Sequence, residues 1–359
     1  MLPSHGANPA QLYAQLGLVM PKDTIDFSEN VNPLPMPVTL TQEELEQAIS
    51  VYPHPKGEPF LSEVAAFHKM PKENVLLGNG AAEIFTFLAS ILRDKNVLLI
   101  QPTFSEYEAT LRAQNATIHH VNVTNVVDYE LPMTAIREQL PNMDACYICT
   151  PNNPTGVLPS KEQLTQLVKW ATAYETLLIL DEAFIDWIGE EHSFVDEAIQ
   201  NPFVIVVRSM TKMYKIPGIR LGYAIAHESR IQQLEKFASH WHINGIAIAL
   251  GTKLLRQRAY RAQSIEVARV SRETIFRKLH KMGYRYTKSE TNFITFQLPR
   301  PEQSDAFFEH MLRKGIVLRH TKNFRGLDGK WFRIGMKAAP QMARLETEMI
   351  AWQTIHGSS

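Results

Sequence analysis

Short apolar runs that alternate with helical segments, and reactive side chains gathered where those runs end, predict an α/β fold. The expected form is a mostly parallel, doubly wound sheet followed by a smaller α+β domain. Three observations carry this expectation. Thr176-Leu177-Leu178-Ile179-Leu180 is long enough for a buried strand, too short for a helix, and stops at Asp181. Residues 203–207 repeat the pattern ahead of Ser209-Met210-Thr211-Lys212. Residues 145–149 repeat it again ahead of Thr150-Pro151-Asn152-Asn153-Pro154-Thr155-Gly156, where two prolines and a glycine cannot continue a strand.

From the N-terminus, Asn8 and Pro9 suit the N-cap and first position of a short helix that Gly17 ends. A Pro-rich arm from residue 26 to about 52 is expected to be extended. Gly78-Asn79-Gly80-Ala81-Ala82-Glu83 opens a helix bearing Ile84, Phe87, Leu88 and Leu92. Strands of one parallel sheet are expected at 97–100, 117–123, 146–149, 177–180, 204–207 and 223–225. Ser160 with Gln163 reads as a capping box for the helix of Leu164, Leu167 and Val168. After Gly245, the helical spacing of Ile265, Ala268, Ile275, Leu279 and Met282 marks a long helix that Gly283 stops and that bridges two domains. Strands at 293–296, 317–318 and 331–335 and a helix at 306–314 complete the smaller unit. The divisions are 1–45 for the helix and arm, 46–245 for the large domain and 246–359 for the small one.

Composition excludes several function classes. Lys+Arg and Asp+Glu balance at 37 each, so no overall field draws nucleic acid or an anionic membrane. No apolar stretch is long enough to span a bilayer, and no basic-then-apolar leader opens the chain, which points to the cytoplasm. Cys146 and Cys149 have metal-pair spacing, but residues three apart on a strand face opposite ways, and buried free thiols are expected. The 13 histidines include no helix-spaced ligand pair beside a carboxylate, so no metal is expected.

Ligands of open α/β sheets bind at the C-terminal strand edge, where Asp181, Ser209 and Lys212 fall. A lysine amine condenses with the aldehyde of pyridoxal phosphate, and the Asp181 carboxylate suits its protonated ring nitrogen. Ser209, Arg220 and the helix start at Gly80, Ala81 and Ala82 suit its phosphate. The Asn153 amide projects over the same edge, within reach of the cofactor's phenolic oxygen.

In this order the four pieces resemble the aspartate aminotransferase superfamily, fold type I, over nearly the whole chain. Within it the chain is similar to the branch of histidinol-phosphate aminotransferases and threonine-phosphate decarboxylases, the latter enzymes of cobalamin biosynthesis. Shared marks are Val51-Tyr52-Pro53, Pro151 to Gly156, Asp181-Glu182-Ala183 and Phe332-Arg333-Ile334; decarboxylase-like marks are His5-Gly6-Ala7-Asn8, Asp26 to Pro33 and Pro102 to Glu108. The resemblance implies that Lys212, Asp181 and Asn153 are catalytic and that Phe104 stacks on the ring. It also implies that Tyr52 reaches the phosphate of a neighbouring subunit, hence a homodimer with shared sites. Many aminotransferases carry tyrosine where this chain has Phe184, a departure that favours another reaction on the same cofactor.

For the substrate, Arg333 matches the superfamily's carboxylate-binding arginine. Arg319, Arg325 and Lys337 stand near it in sequence, more cations than one carboxylate needs, so a phosphorylated amino acid is expected, with His5, Asn8 and Asn32 completing the phosphate site. Decarboxylation of O-phosphothreonine leads, with histidinol-phosphate or a related aminotransferase as the alternative. A third reading, a noncatalytic cofactor-sensing regulator, would carry an added N-terminal DNA-binding domain, whereas this fold is expected to begin almost at Met1.

Overall fold

The computed structural model describes residues 5–356. Pro9–Leu16 forms the expected first helix: the Asn8 side chain accepts from the Gln11 N–H, and Gly17 closes the helix at φ 65°. Strand β1 (Ile25–Asp26) follows. The arm, expected to be extended as far as Tyr52, instead winds into a helix over Gln42–Ser50. That helix fully buries none of its side chains; locally, Thr41 and Glu44 cap each other reciprocally with Glu43 beside them in the first turn, and Lys253 pairs with Glu44 from a distant helix at 2.6 Å.

Seven strands then build one sheet: β2 (Val75–Gly78), β3 (Asn96–Gln101), β4 (Thr117–Asn122), β5 (Ala145–Cys149), β6 (Leu177–Asp181), β7 (Val204–Ser209) and β8 (Gly222–Ala226). Their spatial order is β2-β8-β7-β6-β5-β3-β4. The five strands from β3 to β7 run parallel. Strand β8 is antiparallel to both neighbours, which corrects the expectation that 223–225 would extend a parallel array, and edge strand β2 adds to the expected set. A parallel return needs a long crossover, and residues 210–221 hold turns but no helix.

Alternate residues of the central strands enter opposite cores. Leu98, Cys146, Ile148, Leu178, Leu180, Val204 and Val206 pack on one face, and Val97, Leu99, Tyr147, Cys149, Ile179, Ile205 and Val207 on the other. Cys146 and Cys149 are therefore free thiols in different cores. On helix Lys161–Ala173 the Ser160 cap forms, but the Gln163 side chain turns to the Leu131 carbonyl, so only half of the expected capping box exists.

The C-terminal unit holds β9 (Arg285–Tyr286), β10 (Phe293–Gln297), β11 (Ile316–Val317), β12 (Arg319–His320) and β13 (Phe332–Gly335), with helices Ser304–Arg313 and Ala339–His356. Four of these strands form a second sheet, β12-β13-β10-β9, while β11 pairs in parallel with β1. Leu12, Tyr13 and Phe27 are buried in the core of this unit, so the two chain ends share one core. Helix Arg258–Lys281 crosses between cores: Tyr260 and Ala268 pack in the large one, Ile275 and Leu279 in the small one.

One contact fixes the arm against β13. The Gly335 N–H donates to the Phe27 carbonyl at 2.8 Å, and a Cβ on Gly335 would lie 2.1 Å from the Glu29 carbonyl oxygen. Gly335→Ala is expected to cost about 1–3 kcal/mol of stability through overpacking, read as a lowered urea midpoint; an unchanged midpoint would mean that the arm does not pack there.

Candidate active site

The lysine turn is built by its neighbours. Lys212 lies beyond β7, and the buried Asn32 holds that turn from the arm: its N–H donates to the Lys212 carbonyl at 3.0 Å and its Nδ2 to the Met213 carbonyl at 2.8 Å and Ser264 Oγ at 2.7 Å. Asn32 Oδ1 accepts from the Leu34 N–H. Both ends of the amide, expected to meet substrate, are engaged within the protein, and Asn32 clamps the lysine turn. Lys212 Nζ lies 3.3 Å from Ser209 Oγ and 5.8 Å from the centre of the Phe184 ring. Desolvation lowers its pKa to about 8, with the Asp181 charge opposing and the Arg220 charge assisting.

Register places the acidic partner. Cys149 pairs with Asp181 across β5 and β6, and both residues end their strands on the same face of the sheet. Tyr107 Oη donates to Asp181 Oδ2, the Ala183 N–H donates to Oδ1 at 3.0 Å, and Cys149 Sγ stands 4.0 Å from Oδ2. Burial raises the Asp181 pKa, while the Tyr107 and Ala183 hydrogen bonds and the Lys212 charge lower it. Asn153 Oδ1 accepts from Arg333 Nη1 at 2.5 Å, which leaves the Nδ2 hydrogens for a ligand oxygen.

A cradle of a kind that suits an anion lies at the start of helix Ala81–Ile91, which has no side-chain cap. Gly80 adopts φ 81°, and a Cβ there would lie 2.6 Å from Arg220 Nη2, so the guanidinium rests against the helix start. Ser209 pairs with Gly222, whose own Cβ position would lie 2.7 Å from the Ala81 nitrogen. Gly80, Ala81, Ala82, Ser209 and Arg220 thus converge on one point that suits an anion. Donors at the cradle, an amine of lowered pKa and a buried carboxylate fit the phosphate, aldehyde and ring nitrogen of pyridoxal phosphate. Phe104 is half-buried, 5.9 Å from the His5 ring and 5.7 Å from the Tyr107 ring. Tyr52 stays on the surface, 81% exposed and 5.2 Å from the Trp241 ring.

Arg319 and Arg333 are direct partners in the β12–β13 pair, so both guanidiniums leave the sheet on one face. Both are buried, and burial lowers them to about 10 and about 9. Arg333 donates to the Ser28 carbonyl at 2.8 Å and to Asn153, while its Nε is buried without a partner among the described residues. Arg319 donates to the His320 carbonyl and to Asn323 Oδ1. It lines a small cavity with His5, Asn8 and Ser28. The Asn8 side chain there is already engaged in its helix cap with Gln11. Of the other expected cations, Lys337 is paired with Glu29 at 2.5 Å and Arg325 is exposed beside Phe104.

Sequence reasoning missed Tyr107, Cys149 and Ser28 as neighbours of the site. Tyr107 stands three residues after Phe104, a helical spacing that could have placed both on one face. It also missed the buried cluster behind the sheet, where Arg208 meets Glu182, Asp186 and Glu190.

Comparison with known proteins gives the chain a family. The model of a family described as aminotransferase class I and II matches residues 22–348. The chain is similar to the threonine-phosphate decarboxylase of Salmonella typhimurium, 29% identical over 95% of this chain and 94% of that one. Among solved structures it is similar to the histidinol-phosphate aminotransferase from Clostridium acetobutylicum, with a TM-score of 0.83 at 25% identity, covering 91% of this chain and 98% of that one. The fold also matches that of histidinol-phosphate aminotransferase from Sinorhizobium meliloti, solved in complex with pyridoxal-5'-phosphate, with a TM-score of 0.79 at 20% identity over 94% and 92% of the chains.

Only the neutral amine attacks an aldehyde, so the rate at which cofactor-free protein captures pyridoxal phosphate should rise with pH and level off above about 8. Stopped-flow absorbance checks this, and a rate that climbed on towards the ordinary lysine range would show that Lys212 is not desolvated.

Proposed function

Because the chain belongs to the aminotransferase class I and II family, whose chemistry runs on pyridoxal phosphate, we propose that it decarboxylates O-phosphothreonine to 1-amino-2-propanol phosphate. The observation that carries this reading is the Arg319 and Arg333 pair. Two buried guanidiniums on one face repel each other, a repulsion that bound anions relieve, and the unpartnered Arg333 Nε keeps a donor ready. A substrate with a carboxylate and a phosphate supplies both anions. The similarity to the Salmonella typhimurium decarboxylase over nearly both whole chains supports the same reading.

Bound at Lys212, pyridoxal phosphate supplies an electron sink for the pair left at the substrate's Cα. Asp181 would pair as a carboxylate with the protonated ring nitrogen, and Asn153 Nδ2 would donate to the phenolic oxygen. Arg333 and Arg319 would hold the substrate's two anions and so orient its Cα bonds. The Cα–carboxylate bond would break with loss of CO2, and Lys212 Nζ would hand Cα a proton in its place and recover one from water. Phe184 beside Lys212 has no hydroxyl to offer, so Asn153 is the side-chain donor to the phenolic oxygen. The exposed Tyr52 is assigned to the phosphate of a second copy in a homodimer, which sedimentation of the loaded protein at a single chain mass would contradict.

A second reading is transamination of histidinol phosphate, favoured by the similarity to the Clostridium acetobutylicum enzyme. Its substrate also carries a phosphate. The two readings part on co-substrate. O-phosphothreonine alone should release CO2 over many turnovers, because decarboxylation and reprotonation return the cofactor to its aldehyde form. An aminotransferase would stop after one turnover without a keto acid, and glutamate-dependent conversion of an imidazole phosphate with no CO2 from O-phosphothreonine would install it instead.

Arg333→Ala and Arg319→Ala should each weaken substrate binding by about 1.5–3 kcal/mol while keeping the cofactor. Loss of pyridoxal phosphate from either variant would place that arginine in the cofactor site.

A further inference from the structure

Asp181 is a buried carboxylate, and burial makes a carboxylate a stronger base. A strong base beside a protonated ring nitrogen takes the proton, which would leave the ring neutral and weaken it as an electron sink. Four groups face Asp181. Lys212 comes from the turn after β7, and the Ala183 N–H from the segment after β6. From β5 comes the Cys149 thiol, pushed up by burial and so uncharged; from helix Ser105–Arg112 comes Tyr107. Once the Lys212 amine is tied to the cofactor, its full charge no longer faces the carboxylate. Tyr107 is then the only side chain among the described residues with a strong O–H or N–H donor on Asp181. Its hydroxyl is fully buried, raised well above the ordinary tyrosine range, and hence always a donor. Its ring is fixed by Phe85 at 4.8 Å and Tyr147 at 5.3 Å, so the hydroxyl cannot swing away.

We infer that Tyr107 is a positioning residue whose hydrogen bond to Oδ2 keeps Asp181 the weaker base of the pair, so that the proton stays on the ring nitrogen. The inference rests on the reading of Asp181 as the ring partner. Tyr107 itself touches neither ring nor substrate; it acts through the carboxylate.

The test loads wild-type protein, Tyr107→Phe and Asp181→Asn with pyridoxal phosphate carrying 15N in the ring, and reads the nitrogen chemical shift at one pH. Tyr107→Phe keeps the aromatic ring and its packing. Its nitrogen signal should move from the protonated towards the unprotonated position, with kcat down about tenfold and KM within about twofold. A merely structural role would leave the nitrogen signal in place. If Asp181→Asn moves the signal and Tyr107→Phe does not, the role given to Tyr107 is wrong and Asp181 stands. If neither variant moves it, the reading of Asp181 fails, and this inference with it.

Discussion

Burial of charge without an opposite charge in contact is the constraint on which the site depends. Lys212, Asp181 and Arg333 are each drawn out of water, and among the described residues none of the three forms a salt bridge. Arg319 is buried beside them. Desolvation moves every one of the four towards its neutral form. A fold tolerates such groups when a ligand supplies counter-charge. Behind the sheet the opposite arrangement holds: Arg208, fully buried, is met by Glu182, Asp186 and Glu190, and Arg261 joins the last two. Paired charge stiffens the platform, and charge in wait of a ligand faces the cleft.

Strand register is what turns that chemistry into geometry. Cys149, Asp181 and Ser209 are terminal residues of adjacent parallel strands, so one pleat sends all three to one face. Arg208 and Glu182, one position away, fall on the other face for the same reason. The N-terminal arm adds a second level of order. Asn32 holds the Lys212 turn from one side, while the Ser28 carbonyl and the contact at Gly335 hold Arg333 and its strand from the other. Arg333 of the small unit and the Lys212 turn of the large one are thereby aligned by a segment that belongs to neither of the two larger sheets.

Much of this is legible in the residues alone. Apolar runs ending in Asp181, in Ser209 with Lys212 and in the Asn153 loop announce a strand edge, because such runs bury only as strands and such endings only as loops. Arg220 and the Gly80 turn follow as an anion cradle. What stays hidden depends on pairing across the chain. The sense of β8 follows from the absence of a crossover helix, and edge strand β2 is only four residues of Val, Leu and Gly, too short to show a period. Asn32 resembles a ligand because an asparagine in a Pro-rich arm carries no sign of its partners Met213 and Ser264, which lie far along the chain. The helix at Gln42–Ser50 is written in the Thr41-to-Glu44 spacing, a local signal that outweighs the prolines around it.

The central claim is that the desolvated amine at this edge is the cofactor's anchor. Reduction of the loaded protein with borohydride, followed by peptide mass mapping, tests it most directly. The account predicts a single pyridoxyl adduct on Lys212. An adduct on the exposed Lys215, or on any other lysine, would contradict it.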